Sequence, residues 1–147
     1  MALIFESEIK LHSVIENLDP SGLPEGEPEI NISTVTGFLK DDGEKLSLSY
    51  AEAGEGGKVF TDLDIFTDGG VRLSRHGALE SELHFREGEE YNTVYSVPPY
   101  EFDIKIITKR IRSTVQRHGG TLQLLYSMNV GGQEKSVRMK IEVSVRK

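Results

Sequence analysis

Arg75 is the residue whose placement most needs a reason. In Val71-Arg72-Leu73-Ser74-Arg75 it shares the parity of Val71 and Leu73, and alternation puts that parity on the apolar face of a strand. A guanidinium on an inner face must be paired or kept close to water, because burying its charge alone is very costly. Two readings stand. As a clamp, Arg75 offers parallel N–H donors to a carboxylate or phosphate on a ligand. As a plug, the commoner fate, it closes one end of the fold by donating to backbone carbonyls. Tyr50, Tyr91, Tyr95 and Tyr126 fall on inner faces as well, as do Ser13, Thr34, Thr36, Thr61, Ser81 and Thr93. A filled core prefers aliphatic side chains, so this mixed lining suits a solvated cavity for a small anionic or amphipathic molecule. Tyrosines that merely bridge core and rim would give the same pattern. The candidate ligand-binding set is Arg75, Tyr50, Thr93, Tyr95 and Tyr126.

Other chemistry is poorly served. His12, His76, His84 and His118 show no metal spacing. Glu80, Glu82 and His84 share one strand face, but alternate positions sit roughly 7 Å apart, too far to wrap a small ion. Gly54-Glu55-Gly56-Gly57-Lys58 is too short for a phosphate loop and lacks the Ser or Thr after its lysine. There is no Gly-x-Ser-x-Gly elbow and no cysteine, hence no thiol nucleophile, thiolate metal site or disulfide. Asp62 and Asp64 fall on an outer face, where a carboxylate is expected to keep its ordinary pKa. Neither an enzyme nor a cofactor-bearing protein is expected.

The formal charge of −7 argues against a generic nucleic-acid binder. Its distribution is uneven: residues 1–104 carry −15 and residues 105–147 carry +8. Lys105, Lys109, Arg110, Arg112, Arg117, Arg138, Lys140 and Arg146 make that last third basic. If they gather on one wall, they offer an alternative role as an interaction module for RNA or an acidic protein. Aromatic residues for base stacking are missing there. Neutralisation against the first strand, or acid-to-base self-association, is the better use. Met1 to Lys10 has no basic region followed by an apolar run, and no segment reaches the ~18 apolar residues of a membrane span. A cytoplasmic location is expected.

These residues need strands to position them. The 147 residues suffice for one domain with a real core. Period-2 alternation runs through nearly all of it, broken by Asp-Gly and Gly-Gly turn signals. The first strand reads Ile4–Ile15, with Ile9, Leu11, Ser13 and Ile15 inward. Residues 17–28, with three prolines and two glycines, read as an exposed loop. The second strand places Ile30, Ile32, Thr34, Thr36 and Phe38 on its core face. Strands around Leu46–Tyr50, Val59–Ile65, Val71–Arg75, Leu79–Phe85 and Tyr91–Val97 follow. In the eighth, the apolar phase changes between Ile106 and Ile107, which suggests a β-bulge. Leu122–Val130 and Val137–Val145 complete ten. Pairing the last strand with the first removes both edges and sets outward Arg138 and Lys140 beside Glu6 and Glu8. The expected fold is all-β, an antiparallel up-and-down barrel of about 8–10 strands, with a two-sheet sandwich as the alternative.

The order of several short motifs resembles the YwiB-like family of small bacterial calycin-type barrels. They are Leu48-Ser49-Tyr50 with Glu52, Asp68-Gly69 before Val71, Arg75-His76-Gly77, and Leu83-His84-Phe85 with Gly88. Tyr95 before Pro99-Tyr100, Thr108, and Gly120 to Tyr126 through Gly131-Gly132 continue the match over about residues 30–147. Glu101 stands where the family usually has glycine. The resemblance implies a calycin-like (lipocalin-like) barrel in a bacterial cytoplasm; it implies no reaction and no ligand.

Overall fold

The structure is a computed structural model that describes residues 3–54 and 56–146. The Gly54–Gly57 turn therefore lies partly outside the described residues. Ten strands form one antiparallel sheet: β1 (Leu3–Leu18), β2 (Pro24–Asp41), β3 (Lys45–Gly54), β4 (Gly57–Phe66), β5 (Val71–Gly77), β6 (Ser81–Phe85), β7 (Glu90–Val97), β8 (Tyr100–Ser113), β9 (Gly119–Val130) and β10 (Gln133–Val145). Their order is β6-β5-β4-β3-β2-β1-β10-β9-β8-β7. Two meanders, β1 to β6 and β7 to β10, are thus joined where the first strand meets the last.

That junction is long, running from Ser7↔Val145 to Asn17↔Lys135. It bears out the expected pairing of the two ends but not the expected charge partners. Antiparallel register sets Glu8 opposite Ser144, so Arg138 instead approaches Glu16 at 3.5 Å and Arg146 approaches Glu6 at 4.0 Å. Lys140 turns to Glu142 on its own strand at 3.0 Å. Closure elsewhere is slight. Strands β6 and β7 meet through one bridge, Glu80↔Ser96, and the His84 and Tyr91 rings stack at 4.6 Å beyond it. The result is a nearly closed barrel, as expected.

The turns form for local reasons. Asp42 accepts the N–H groups of Glu44 and Lys45 at 3.0 Å each, and Asp68 accepts that of Gly70 at 3.0 Å. Gly69, at φ +94°, adopts a backbone that a side chain would strain. Inside, Leu39, Leu48, Leu63, Phe85, Ile106 and Leu122 are fully buried, and the Phe85 ring packs on Tyr126 at 4.7 Å. Each such aliphatic side chain stabilises the fold by about 1.5–3 kcal/mol through the water it leaves.

Three expectations need correction. Residues 17–28 are largely exposed but mostly strand: β1 runs to Leu18, β2 begins at Pro24, and only residues 19–23 turn. Pro24 and Pro28 are tolerated because β3 pairs with β2 only from Phe38 to Asp41, which leaves the other edge of β2 free along its first half. The second strand is also turned over. Val35 pairs with buried Ile9, so Val35, Gly37 and Leu39 face the core, while Ile30, Ile32 and Phe38 are exposed at 58%, 65% and 51%. Thr34 and Thr36 go outward with them. Finally, the bulge in β8 lies between Thr108 and Arg110, two residues later than expected. Ile107 stays outside, and buried Thr108 takes the inner position.

Gly37 marks the point where β2 separates from β3. A Cβ there would lie 2.3 Å from the Ser49 carbonyl oxygen and 3.0 Å from the Tyr50 Cβ. Gly37→Ala is therefore expected to lower unfolding free energy by about 2 kcal/mol or more, through overlap with backbone that cannot yield. Urea melts of the variant and the parent check this; Gly22→Ala, where no atom lies within 4 Å, should cost only about 1 kcal/mol.

Candidate functional site

One end of the barrel interior holds a cavity of about 520 Å³. Tyr50 on β3, Arg75 on β5, Tyr95 on β7 and Tyr126 on β9 all line it, so four of the five candidates converge as alternation requires. Thr93 does not. It faces inward and is half-buried opposite Ile104, but it sits beside the loosely joined β6–β7 seam rather than on the cavity wall. Ser13, expected inward, lines the cavity too. Leu11, Leu73, Leu83, Ile104, Met128 and Met139 supply the apolar part of the wall.

Sequence reasoning missed Glu52, Asn31, Ser33 and Lys135, which also reach the cavity. Glu52 was available, because it continues the parity of Leu48 and Tyr50. Asn31 and Ser33 were hidden by the wrong face assigned to β2. Ser33 Oγ donates to Glu52 Oε2 at 3.3 Å across the gap that opens between β2 and β3.

Electrostatics at the site follow from burial. Tyr50 is 7% exposed, and loss of water pushes its phenol up to about 12, with Arg75 opposing and Glu52 adding to the rise. Burial likewise pushes Tyr126 up to about 12, again opposed by Arg75. Both phenols are therefore O–H donors at any physiological pH, and both lie within the field of the same guanidinium. Arg75 itself is half-buried. Among the described residues, no carboxylate lies within ion-pairing distance of it.

The other cations and carboxylates have different work. Arg117 forks onto Asp41, with Nε and Nη2 each at 3.1 Å, beside a wider opening at the far end of the barrel. Glu80 caps the Gly77 N–H at 3.2 Å and meets His76 at 3.1 Å, while Glu82 meets His84 at 3.3 Å. Among the described residues no group of three or more His, Cys, Asp or Glu could hold a metal ion. The basic residues do gather in part. Register sets Arg110, Leu125, Arg138 and Val14 in one outer row across β8, β9, β10 and β1. Arg112, Gln123, Lys140 and His12 form the next.

Asp64 overturns the expectation of an ordinary outer carboxylate. It is only 6% exposed, accepts from Ser47 Oγ at 2.6 Å and from Arg72 Nη2 at 2.6 Å, and has Lys45 at 3.8 Å. Burial acts to raise its pKa, but the Ser47 and Arg72 hydrogen bonds and the nearby Lys45 outweigh it and hold the carboxyl below its usual 3.8. These contacts tie β3, β4 and β5 together on their outer side.

Fold and cavity together define a class: a small, nearly closed antiparallel barrel with a partly polar lumen at one end. Its sequence narrows that class, since residues 23–143 match the DUF1934 family, a domain of unknown function, and the chain belongs to that family. It is 31% identical over 132 residues to the uncharacterized beta-barrel protein YwiB of Bacillus subtilis (strain 168), an alignment covering 88% of this chain and 87% of that protein. The crystal structure of the ywiB protein from Bacillus subtilis is similar with a TM-score of 0.84 at 28% identity, covering 98% of this chain and 94% of that one. The resemblance seen in the motifs is thereby borne out.

Because folding depresses the Asp64 pKa, the ionised group stabilises the fold fully above about 3.8, and this contribution is lost as the pH falls from there through the lower folded-state value. Asp64→Asn should flatten the acid limb of stability against pH between about pH 5 and pH 2. Urea melts at stepped pH measure it, and an unchanged acid limb would contradict the assignment.

Proposed function

We propose that this chain is a non-enzymatic binding protein that holds a small, anionic or amphipathic molecule in its lumen. The observation that carries the reading is the half-buried Arg75 guanidinium on the cavity wall, accompanied by two protonated phenols and, among the described residues, by no carboxylate within ion-pairing distance. A cation withdrawn from water without a counter-charge is costly to the fold, and an entering anion relieves that cost. The volume of about 520 Å³ falls within the range of small-molecule pockets. Tyr50, Tyr95 and Tyr126 present edges that are apolar along the ring and polar at the tip, which suits a ligand of mixed character.

A second reading has its own observation. The outer rows through Arg110, Arg112, Arg138 and Lys140 flank Leu125 and Val14, a cationic surface with an apolar floor. That chemistry favours an acidic protein over RNA, because no Phe, Tyr or Trp ring stands in either row for a base to stack on. Such binding would fall steeply with added salt and survive changes to Arg75.

Titration with the anionic fluorescent probe 1-anilinonaphthalene-8-sulfonate tests the lumen directly. Arg75→Gln should weaken probe binding by about ten-fold, as expected for loss of one charge-assisted hydrogen-bonding group. The melting temperature should stay the same or rise, since a poorly compensated charge is removed. Parallel losses of binding and of thermal stability would favour the plug role instead.

A further inference from the structure

A fully closed barrel leaves no strand edge unpaired, because each ladder finds a neighbour. Here two edges are unpaired, and they face each other. β3 pairs with β2 only from Phe38 to Asp41, so β2 has no partner on that side from Pro24 to Thr36. β3 is likewise unpaired toward β2 from Tyr50 to Gly54, although it pairs with β4 along its whole length. What crosses the gap is a side-chain contact, Ser33 Oγ donating to Glu52 Oε2 at 3.3 Å.

We propose that an extended segment of a partner protein, alternating basic and β-branched residues, adds as a strand along β2 between Glu29 and Thr36. This goes beyond the lumen-binding reading and does not depend on it. Alternation gives the unpaired edge two different sides. Glu25, Glu27, Glu29, Asn31 and Ser33 share one parity, and Ile30, Ile32 and Thr34 share the other. On the first side the carboxylates have no cation of their own: among the described residues, none lies within ion-pairing distance of Glu25, Glu27, Glu29 or Glu52. On the second, Ile30 and Ile32 are 58% and 65% exposed, and across the gap the outer face continues with Ala51 and its partner Phe60, itself 51% exposed. An added strand meets both sides at once. Its basic side chains fall beside the acidic row, where opposite charges attract, and the others lie beside the isoleucines, where β-branched residues pack well. Its backbone supplies the hydrogen-bond partners that β2 lacks, a mode by which sheet edges take up extended peptides. Pro28 cannot donate, which sets one end of the paired stretch, and the closing of β2 on β3 at Phe38 sets the other. A second copy of the chain fits this edge poorly. β10, its own strand of alternating basic and apolar residues, is held on both edges by β1 and β9. The free margin of β8 beyond Ile107 is short, and Glu87 already accepts the Ile111 N–H at 2.7 Å.

The experiment titrates the full chain with a short synthetic peptide that alternates lysine and valine, followed by calorimetry and by amide hydrogen exchange. Binding should slow exchange at alternate amides between Glu29 and Thr36; protection elsewhere on the barrel, with none there, would overturn the site. The same peptide with glutamate in place of lysine should bind at least about ten-fold more weakly. Equal binding would overturn the charge match. The same peptide with N-methylated backbone amides keeps its charge and loses its donors, and should also bind at least about ten-fold more weakly. Equal binding of that form would overturn strand addition. Ile32→Lys sets a cation beside the added strand at an exposed position, and should weaken binding by about ten-fold with the melting temperature little changed. Should that variant melt lower, Glu27→Gln/Glu29→Gln, also exposed, carries the comparison with a loss of about five-fold. Unchanged binding in it would remove the acidic row from the site. No binding of the lysine peptide to the parent chain would overturn the proposal outright. A concentration-dependent dimer in sedimentation that Ile32→Lys dissolves would overturn it in favour of a second copy.

Discussion

The ladder between β1 and β10 is the constraint on which the rest depends. It joins residues near opposite ends of the chain, from Ser7↔Val145 to Asn17↔Lys135, so it forms only after most of the loop-closure entropy has been met. Without it the two meanders would be separate curved sheets, each with an apolar face in water. With it, the inner residues of β1 and β10, among them Ile9, Val137, Ile141 and Val143, are buried against the far wall. The cavity exists because this closure is complete on one side and loose on the other. β2 stands apart from β3 up to Gly37 and pairs with it only from Phe38 onward, and β6 and β7 meet through a single bridge. Side chains near those departures have no neighbouring strand to fill the space they border.

Polar groups in the interior follow the same geometry. Arg75 is inward because Val71 and Leu73 are, and alternation leaves it no other face. It is kept within reach of water by its position at the end of β5, one residue before the exposed His76 and Gly77. Asp64 shows the opposite solution. It is an outer residue that became buried, and Ser47, Arg72 and Lys45 supply the compensation from flanking strands and its own surroundings. The two cases separate a charge that the protein satisfies by itself from one that it leaves open.

Much of this was legible in the residues. The number of strands, the pairing of the ends and the inward sets of β1, β3, β4, β5, β9 and β10 follow from alternation between apolar and charged positions. β2 resisted because Ile30-Asn31-Ile32-Ser33-Thr34-Val35-Thr36-Gly37-Phe38-Leu39 carries β-branched or apolar residues on both parities. Only its pairing with Ile9 decides between them. The β8 bulge was displaced for a related reason: Ile106 and Ile107 are adjacent and alike, and one of them had to be left outside. Thr93 has the right parity and the wrong neighbourhood, which no single-strand pattern reveals.

The free margin of β2 also bears on how this molecule keeps company with others of its kind. An extended strand with unmet N–H and C=O groups is a template on which another polypeptide can lie down. Here the half nearest the turn carries Pro24 and Pro28, which cannot donate, and Glu25, Glu27 and Glu29, which repel a like-charged neighbour. Those five residues stand beside an uncharged run from Ile30 to Thr36 along the same free edge and make it a poorer template for another strand of its own kind. The acidity of the amino-terminal two-thirds is in this respect a means of staying dispersed.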